Sequence, residues 1–147
     1  MTTSRTENSA AGFSPEEELD NVSYVIDTGK EAEINRALGV ILITHRCSSC
    51  REEMAKESKT QSNKEHISRI SKCCSRKDGF IDPQMPIQEI IFRLILAGNN
   101  KAMKLNQLHY LLTEEWATPM NPKNIYLADL RKILVRDNYY GFQERVD

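Results

Sequence analysis

The stretch PIQEIIFRLILAGNN, residues 86–100, carries the clearest periodic pattern in the chain. Its apolar residues recur at three- and four-residue steps, which places them on one face of an α-helix. The leading proline suits the first turn of a helix, and Gly98 is typical of a helix C-terminus. We therefore predict a helix here whose buried face consists of Ile87, Ile90, Ile91, Leu94 and Ile95.

Two further helical patterns follow towards the C-terminus. The first is KLNQLHYLLTEEWA, residues 104–117, and the second is IYLADLRKILVRD, residues 125–137. The loop TPMNPKN, residues 118–124, separates them because its prolines and asparagines favour turns. The final stretch NYYGFQERVD, residues 138–147, is rich in aromatic residues that suit a strand or hairpin.

This order of elements over residues 83–147 resembles a winged helix-turn-helix domain. In that family the third helix, here Leu127 to Asp137, enters the major groove of DNA. Lysine and arginine contact phosphates, while arginine and asparagine can also read base edges. The resemblance therefore implies that DNA is contacted by Lys123, Asn124, Arg131, Lys132 and Arg136.

The N-terminal half predicts a different architecture. Residues 1–12 resemble a disordered tail, a short helix is expected from Ser14, and VSYVIDTGK, residues 22–30, suggests a short strand. Apolar spacing predicts one helix from Glu31 to about Lys59 and a second from Lys64 to Cys74. The stretch SRKDGFIDPQMP, residues 75–86, then marks a boundary between a segment at 13–78 and a domain at 79–147. The predicted class is mainly α: a helical hairpin followed by a winged-helix-like three-helix domain.

The four cysteines lie in this predicted hairpin, in HRCSSCREE, residues 45–53, and ISKCC, residues 70–74. Residues three apart on a helix or tight turn face the same side, so Cys47 and Cys50 can reach one ion. With Cys73 and Cys74 they would form a tetrahedral site, and His45 or His66 are alternative ligands. Zinc is the expected metal, with an iron-sulfur cluster as the alternative. A thiol redox switch and inert burial are the other interpretations.

Charge and composition limit the class of protein. The net charge is −1, but residues 34–80 carry 10 basic and 5 acidic groups, so an anionic partner would be attracted there first. Because no apolar run reaches the roughly 20 residues of a membrane span, no membrane association is expected. The polar start of the chain lacks the apolar core of a secretory signal, which predicts a cytoplasmic location.

These patterns together predict a DNA-binding transcriptional regulator with a cysteine-bound metal that is structural or senses metal or redox state. No nucleotide-binding, metalloprotease or hydrolase motif occurs, so an enzyme is not predicted. Two alternatives stay open: a protein docking module that uses Tyr139, Tyr140 and Phe142, and a small iron-sulfur redox protein. A homodimer is compatible with the sequence, although no heptad pattern supports one.

Overall fold

The computed structural model describes residues 19–29, 32–57 and 61–147, with the backbone alone for residues 32–37. This part of the chain is mainly helical, which confirms the predicted class at that level. Its strands are β1 (Val22–Ile26), β2 (Met103–Lys104) and β3 (Phe142–Val146). Its helices are α1 (Ala32–Thr44), α2 (Ser48–Lys56), α3 (Asn63–Lys72), α4 (Ile87–Ala97), α5 (Leu105–Tyr110) and α6 (Leu127–Arg136). The predicted tail at residues 1–12 and the predicted helix start at Ser14 lie outside the described residues.

A three-stranded antiparallel sheet joins the two halves of the chain. β1 lies in the centre, between β2 and β3. Ile26 pairs with Phe142 on one side, and Tyr24 pairs with Met103 on the other. Every residue of β1 is buried, as expected for a central strand that is covered on both faces. The strands predicted near residues 22–30 and in the C-terminal tail are thus confirmed.

Helix α4 forms the centre of the hydrophobic core. Five of its side chains are 0% exposed, namely Ile90, Ile91, Phe92, Ile95 and Leu96. Full burial stabilises the fold by roughly 1.5–3 kcal/mol for a side chain of this size. The helix begins after Pro86 and ends at Gly98, as predicted.

The turn after α4 supplies hydrogen-bond partners to the backbone of the central strand β1. Asn99 and Asn100 have φ angles of 58° and 62°, in the left-handed region that asparagine tolerates better than most residues. The Asn100 carboxamide oxygen accepts from the Ile26 amide at 2.7 Å, and its nitrogen donates to the Ile26 carbonyl at 2.9 Å. The side chain therefore satisfies backbone groups of β1 beyond the end of the short strand β2.

The two remaining C-terminal helices are also confirmed. α5 continues into one π-helical turn at Leu111–Glu115, and it packs against α6. The leucines that face the core are each 0% exposed: Leu105, Leu108, Leu112, Leu130 and Leu134. Among the described helices, none combines the length and apolar composition that crossing a membrane requires.

The single helix predicted from Glu31 to Lys59 is wrong. α1 ends at Thr44, and α2 begins at Ser48 with Cys47 as an extended N-cap residue. Two side chains bond the same helical carbonyl at the break. Thr44 Oγ1 donates to the Ile41 oxygen at 2.6 Å, and His45 Nδ1 donates to it at 2.7 Å. The break places the C-x-x-C motif at a helix N-terminus rather than within one helix.

The second predicted helix of the hairpin is confirmed as α3. Its N-cap residue Ser62 and Glu65 form a capping box, in which each side chain bonds the other's backbone amide. The helix ends at Cys73, and Cys74–Arg76 forms a 3-10 turn. Cys74 and Phe80 belong to the same buried cluster as α4. The hydrophobic core therefore crosses the boundary predicted at residues 75–86.

Candidate metal centre

Two helix ends, the N-terminus of α2 and the C-terminus of α3, bring the cysteines together. Cys47 caps the N-terminus of α2, and Cys50 lies in the first turn of that helix. Cys73 caps the C-terminus of α3, and Cys74 begins the 3-10 turn. Cys50 and Cys74 are each 2% exposed, while Cys47 and Cys73 are partly exposed. The four thiols thus lie at one end of the hairpin, two of them buried and two partly exposed to solvent.

Three of the sulfur atoms converge on one point. The Sγ atoms of Cys47, Cys73 and Cys74 all lie within 4.8 Å of one another, and those of Cys47 and Cys73 are 3.6 Å apart. Cys50 lies outside this trio, although its buried thiol is near enough to Cys74 to influence the pKa of that residue. Among the described side chains, this is the only group of three or more candidate ligands that converges in this way.

Polar hydrogens surround the sulfur atoms. The Cys47 amide donates to Cys74 Sγ at 3.0 Å, and Arg46 Nε donates to Cys50 Sγ at 3.1 Å. Cys47 Sγ lies 3.4 Å from Ser49 Oγ and also receives the Cys50 amide. Hydrogen bonds of this kind stabilise sulfur atoms that carry negative charge, as thiolate ligands do.

The three thiols differ in pKa because a thiolate at one position accepts hydrogen bonds from its neighbours and disfavours a second thiolate close by. Burial raises the pKa of Cys47, but hydrogen bonds from Ser49, the Cys50 amide and the neighbouring thiols outweigh it and lower the pKa to about 6. Hydrogen bonding to Cys47 raises the pKa of Cys73, and burial raises that of Cys74 to about 12. Without a cation, therefore, the trio holds one thiolate readily and resists a second. A bound divalent cation would lower the pKa of every coordinating thiol and so allow several thiolates at once.

Neither histidine lies in the converging cysteine group. His45 donates from Nε2 to Glu89 Oε2 at 2.6 Å and from Nδ1 to the Ile41 carbonyl, so both ring nitrogens are engaged. His66 is 4% exposed, and its Nδ1 accepts from Arg46 Nη1 at 2.9 Å. Burial, together with the charge of Arg46, lowers the pKa of His66. His66 instead supports Arg46, which contacts Cys50, and His45 joins the end of α1 to Glu89 on α4.

Arg46 is the residue of this site that sequence reasoning missed. It directly precedes Cys47 in the sequence, and in the structure it is 2% exposed and bonds directly to Cys50. Its position four residues before Cys50 is the one signal that could have indicated this contact. An open groove of about 900 Å³ between α2 and α3 is lined in part by Cys50 and Cys73 and gives solvent access to this end of the hairpin.

The candidate DNA contacts divide into two groups. Lys123 Nζ donates to the Pro83 carbonyl at 2.7 Å, and Arg131 forms a bidentate pair with Glu144 at 2.9 Å. These two side chains therefore fasten the loop before α6 and the helix itself to the rest of the protein. Asn124, Lys132 and Arg136 are exposed. They lie on the solvent side of α6 and of the segment that leads into it.

Comparison of the chain with protein-family models, with curated proteins and with solved structures gives no significant match.

Proposed function

We propose that this protein binds one zinc ion through Cys47, Cys50, Cys73 and Cys74 as a structural centre. The convergence of three sulfur atoms on one point carries this proposal. Zinc–sulfur bonds of about 2.3 Å in a tetrahedron place neighbouring sulfurs roughly 3.8 Å apart. The 3.6 Å between the Cys47 and Cys73 sulfurs agrees with that spacing.

Cys50 is the proposed fourth ligand. It is buried beside Cys74, whereas both nitrogens of His45 already donate to acceptors and His66 accepts from Arg46. A structural zinc site has four protein ligands and no open position, which matches a set of four cysteines, two buried and two partly exposed.

A single ion fits this geometry better than an iron-sulfur cluster. The thiolates of a multi-iron cluster are spread over several iron atoms, which holds most of their sulfurs apart. Here Cys47, Cys73 and Cys74 approach one another within 4.8 Å. Zinc rather than a cluster is therefore the proposed occupant.

Metal analysis tests this first proposal. Protein purified under reducing conditions is expected to contain about one zinc per chain, and cobalt(II) is expected to give the absorption of a tetrahedral thiolate site. Cys47→Ser and Cys73→Ser should lose the metal and melt at lower temperature, while Ser48→Ala, an exposed neighbour, should retain both properties. Unchanged metal content and melting temperature in the two cysteine variants would overturn the proposal.

We propose further that the C-terminal part binds duplex DNA and acts in transcriptional regulation. The order α4, β2, α5, α6, β3 supports a winged-helix-like arrangement, with β1 in place of a second strand of the wing. Because Arg131 and Lys123 anchor α6 and its loop, the exposed side chains of Asn124, Lys132 and Arg136 are held on a rigid element. These three residues are the proposed DNA contacts.

A protein partner is the second candidate for the same region, and a specific observation favours it. Met120 is 87% exposed and Tyr126 is 82% exposed, although both are large apolar residues near the start of α6. Of the aromatic residues in the tail, Tyr139 is 61% exposed, whereas Tyr140 and Phe142 pack against the core. Exposed apolar groups of this kind commonly mark contact surfaces for other proteins.

Salt dependence separates the two candidates. If α6 binds DNA, the affinity for a labelled duplex should fall steeply with salt, since phosphate contacts release counterions. The double variant Lys132→Ala/Arg136→Ala should reduce the slope of log K against log salt by about 2, with Lys101→Ala, an exposed residue between α4 and β2, as the control. Absence of salt-sensitive DNA binding would overturn the DNA proposal and leave the apolar residues Met120 and Tyr126 as the surface to test.

A further inference from the structure

Arg46 is a buried cation at the edge of the cysteine group. Arg46 is 2% exposed, and it lies in the break between α1 and α2. A buried guanidinium is costly unless it is paired or fully hydrogen-bonded. The contacts of Arg46 therefore show which group compensates its charge.

Every nitrogen of the Arg46 guanidinium has a partner. Nε donates to Cys50 Sγ at 3.1 Å, and Nη2 approaches the Cys50 carbonyl at 3.4 Å. Nη1 lies within hydrogen-bond distance of Gln61 Oε1, of His66 Nδ1 at 2.9 Å and of Met54 Sδ at 3.4 Å, and these three acceptors share its two hydrogens. Two of these contacts reach Cys50 on α2, and one reaches His66 on α3.

None of these partners is a carboxylate. Among the described residues, Arg46 takes part in no ion pair with aspartate or glutamate. Gln61 is neutral, and His66 can accept from Arg46 only as the neutral tautomer with a free Nδ1. The sulfur of Cys50 is thus the one contacting side-chain atom that can carry negative charge.

We infer that Arg46 is a positioning residue of the metal centre, which holds the Cys50 sulfur as the fourth ligand and offsets the negative charge of the bound thiolates. This inference rests on the proposed zinc site. Four thiolates around a divalent ion leave a net charge of −2, and a fixed guanidinium in hydrogen-bond contact reduces the electrostatic cost of burying it. Gln61 and His66 hold the guanidinium in place from the α3 side of the hairpin.

Metal competition with full-length protein tests this role. Partners of metal ligands typically contribute 10–100-fold to affinity. Arg46→Gln is therefore expected to weaken zinc binding 10–100-fold against a chromophoric chelator, and Arg46→Lys to give an intermediate loss. In cobalt(II)-loaded protein, Arg46→Gln should also weaken the thiolate-to-cobalt charge-transfer absorption, because Cys50 is held less well. The control is Arg51→Gln, which removes the same charge from an exposed position next to Cys50 and should behave as the wild type.

A double variant shows whether Arg46 acts through Cys50. In a Cys50→Ser background, Arg46→Gln should cause little further loss of affinity, since the contact that it serves is already gone. Equal zinc affinity in Arg46→Gln and Arg51→Gln would overturn the inference. If circular dichroism shows that Arg46→Gln does not fold, Arg46→Lys decides, and wild-type affinity and absorption in that variant would overturn it. Failure of the wild type to bind zinc or cobalt would instead overturn the proposed function.

Discussion

The cysteine hairpin (α1, α2, α3 and the 3-10 turn) and the helix–sheet region (α4, α5, α6 and the three strands) differ in the polar side chains that they bury. Three of the four buried polar or charged residues among the described side chains lie in the hairpin: Arg46, Gln61 and His66. The helix–sheet region buries mainly aliphatic and aromatic side chains, with Ser23 as the fourth polar residue. Both regions share one apolar core, but the hairpin adds a buried polar network and the proposed metal.

Removal of a central apolar side chain should have the largest effect. Phe92 is 0% exposed and packs against Tyr140 and Phe142, with ring centroids 4.7 and 6.4 Å away. Phe92→Ala should lower the free energy of unfolding by about 3–5 kcal/mol, measured by urea titration. Zinc content of the folded variant should stay at the wild-type level. Loss of zinc while the variant is still folded would mean that the two regions are not independent.

Acid should weaken the junction between the two regions. Glu89 on α4 is partly buried, which raises its pKa, but hydrogen bonds from His45, Tyr140 and Arg93 outweigh burial and lower the pKa to about 2 from 4.5. The folded state thus favours the charged carboxylate. This stabilisation is complete above pH 4.5 and is lost as the pH falls towards 2.

The pH effect of Glu89 can be isolated with one variant. A shift of this size corresponds to at most about 3 kcal/mol. The difference in unfolding free energy between wild type and Glu89→Gln should therefore shrink by up to that amount between pH 5 and pH 2, followed by Trp116 fluorescence. A difference that stays constant over this range would show that the Glu89 contacts do not join the regions electrostatically.

Metal removal should act on the hairpin alone. Free zinc at about a hundred times its dissociation constant stabilises a folded site by about 2.7 kcal/mol. A chelator should therefore increase amide hydrogen exchange in residues 61–76, while α4 and β1 keep their protection. Uniform loss of protection across the chain would indicate that the whole fold, and not only the hairpin, depends on the metal.

The smallest expected effect concerns the cap of α3. Ser62→Ala removes the side-chain acceptor for the Glu65 amide, which costs about 1 kcal/mol. In zinc-free protein this change should increase exchange within α3, and Ser68→Ala in the middle of the same helix is the matched control. An equal effect of both variants would show that the cap does not limit the stability of the hairpin.

Sequence periodicity predicted the helices of the helix–sheet region well, because the apolar face of a helix is formed by residues three and four positions apart. Helices α4, α5 and α6 each carry an uninterrupted apolar face, and Gly98 marks the end of α4. The strand at Val22–Ile26 was predicted from its apolar composition. Its pairing with both β2 and β3 was not, since partners some 80 and 120 residues away leave no local signal.

Periodicity failed at the break between α1 and α2. Apolar spacing continues through this region, but Thr44 and His45 turn their side chains back to the Ile41 carbonyl and the helix stops. Similarly, nothing local distinguishes Arg131, which is tied to Glu144, from Lys132, which is exposed. His45 also bonds Glu89 on α4, and Arg131 bonds Glu144 on β3, so both outcomes depend in part on partners that are distant in sequence.

The sequence by itself determined the mainly helical class, the positions of α3, α4, α5 and α6 and the set of four cysteines, because helical period and ligand chemistry are properties of short segments. Only the tertiary structure decided which ligands converge, that both histidines are engaged elsewhere, and that Arg46 is buried against Cys50. The physical reason is that ligation and charge compensation depend on distances of a few ångströms between α2 and α3, which are set by the packing of the hairpin on α4.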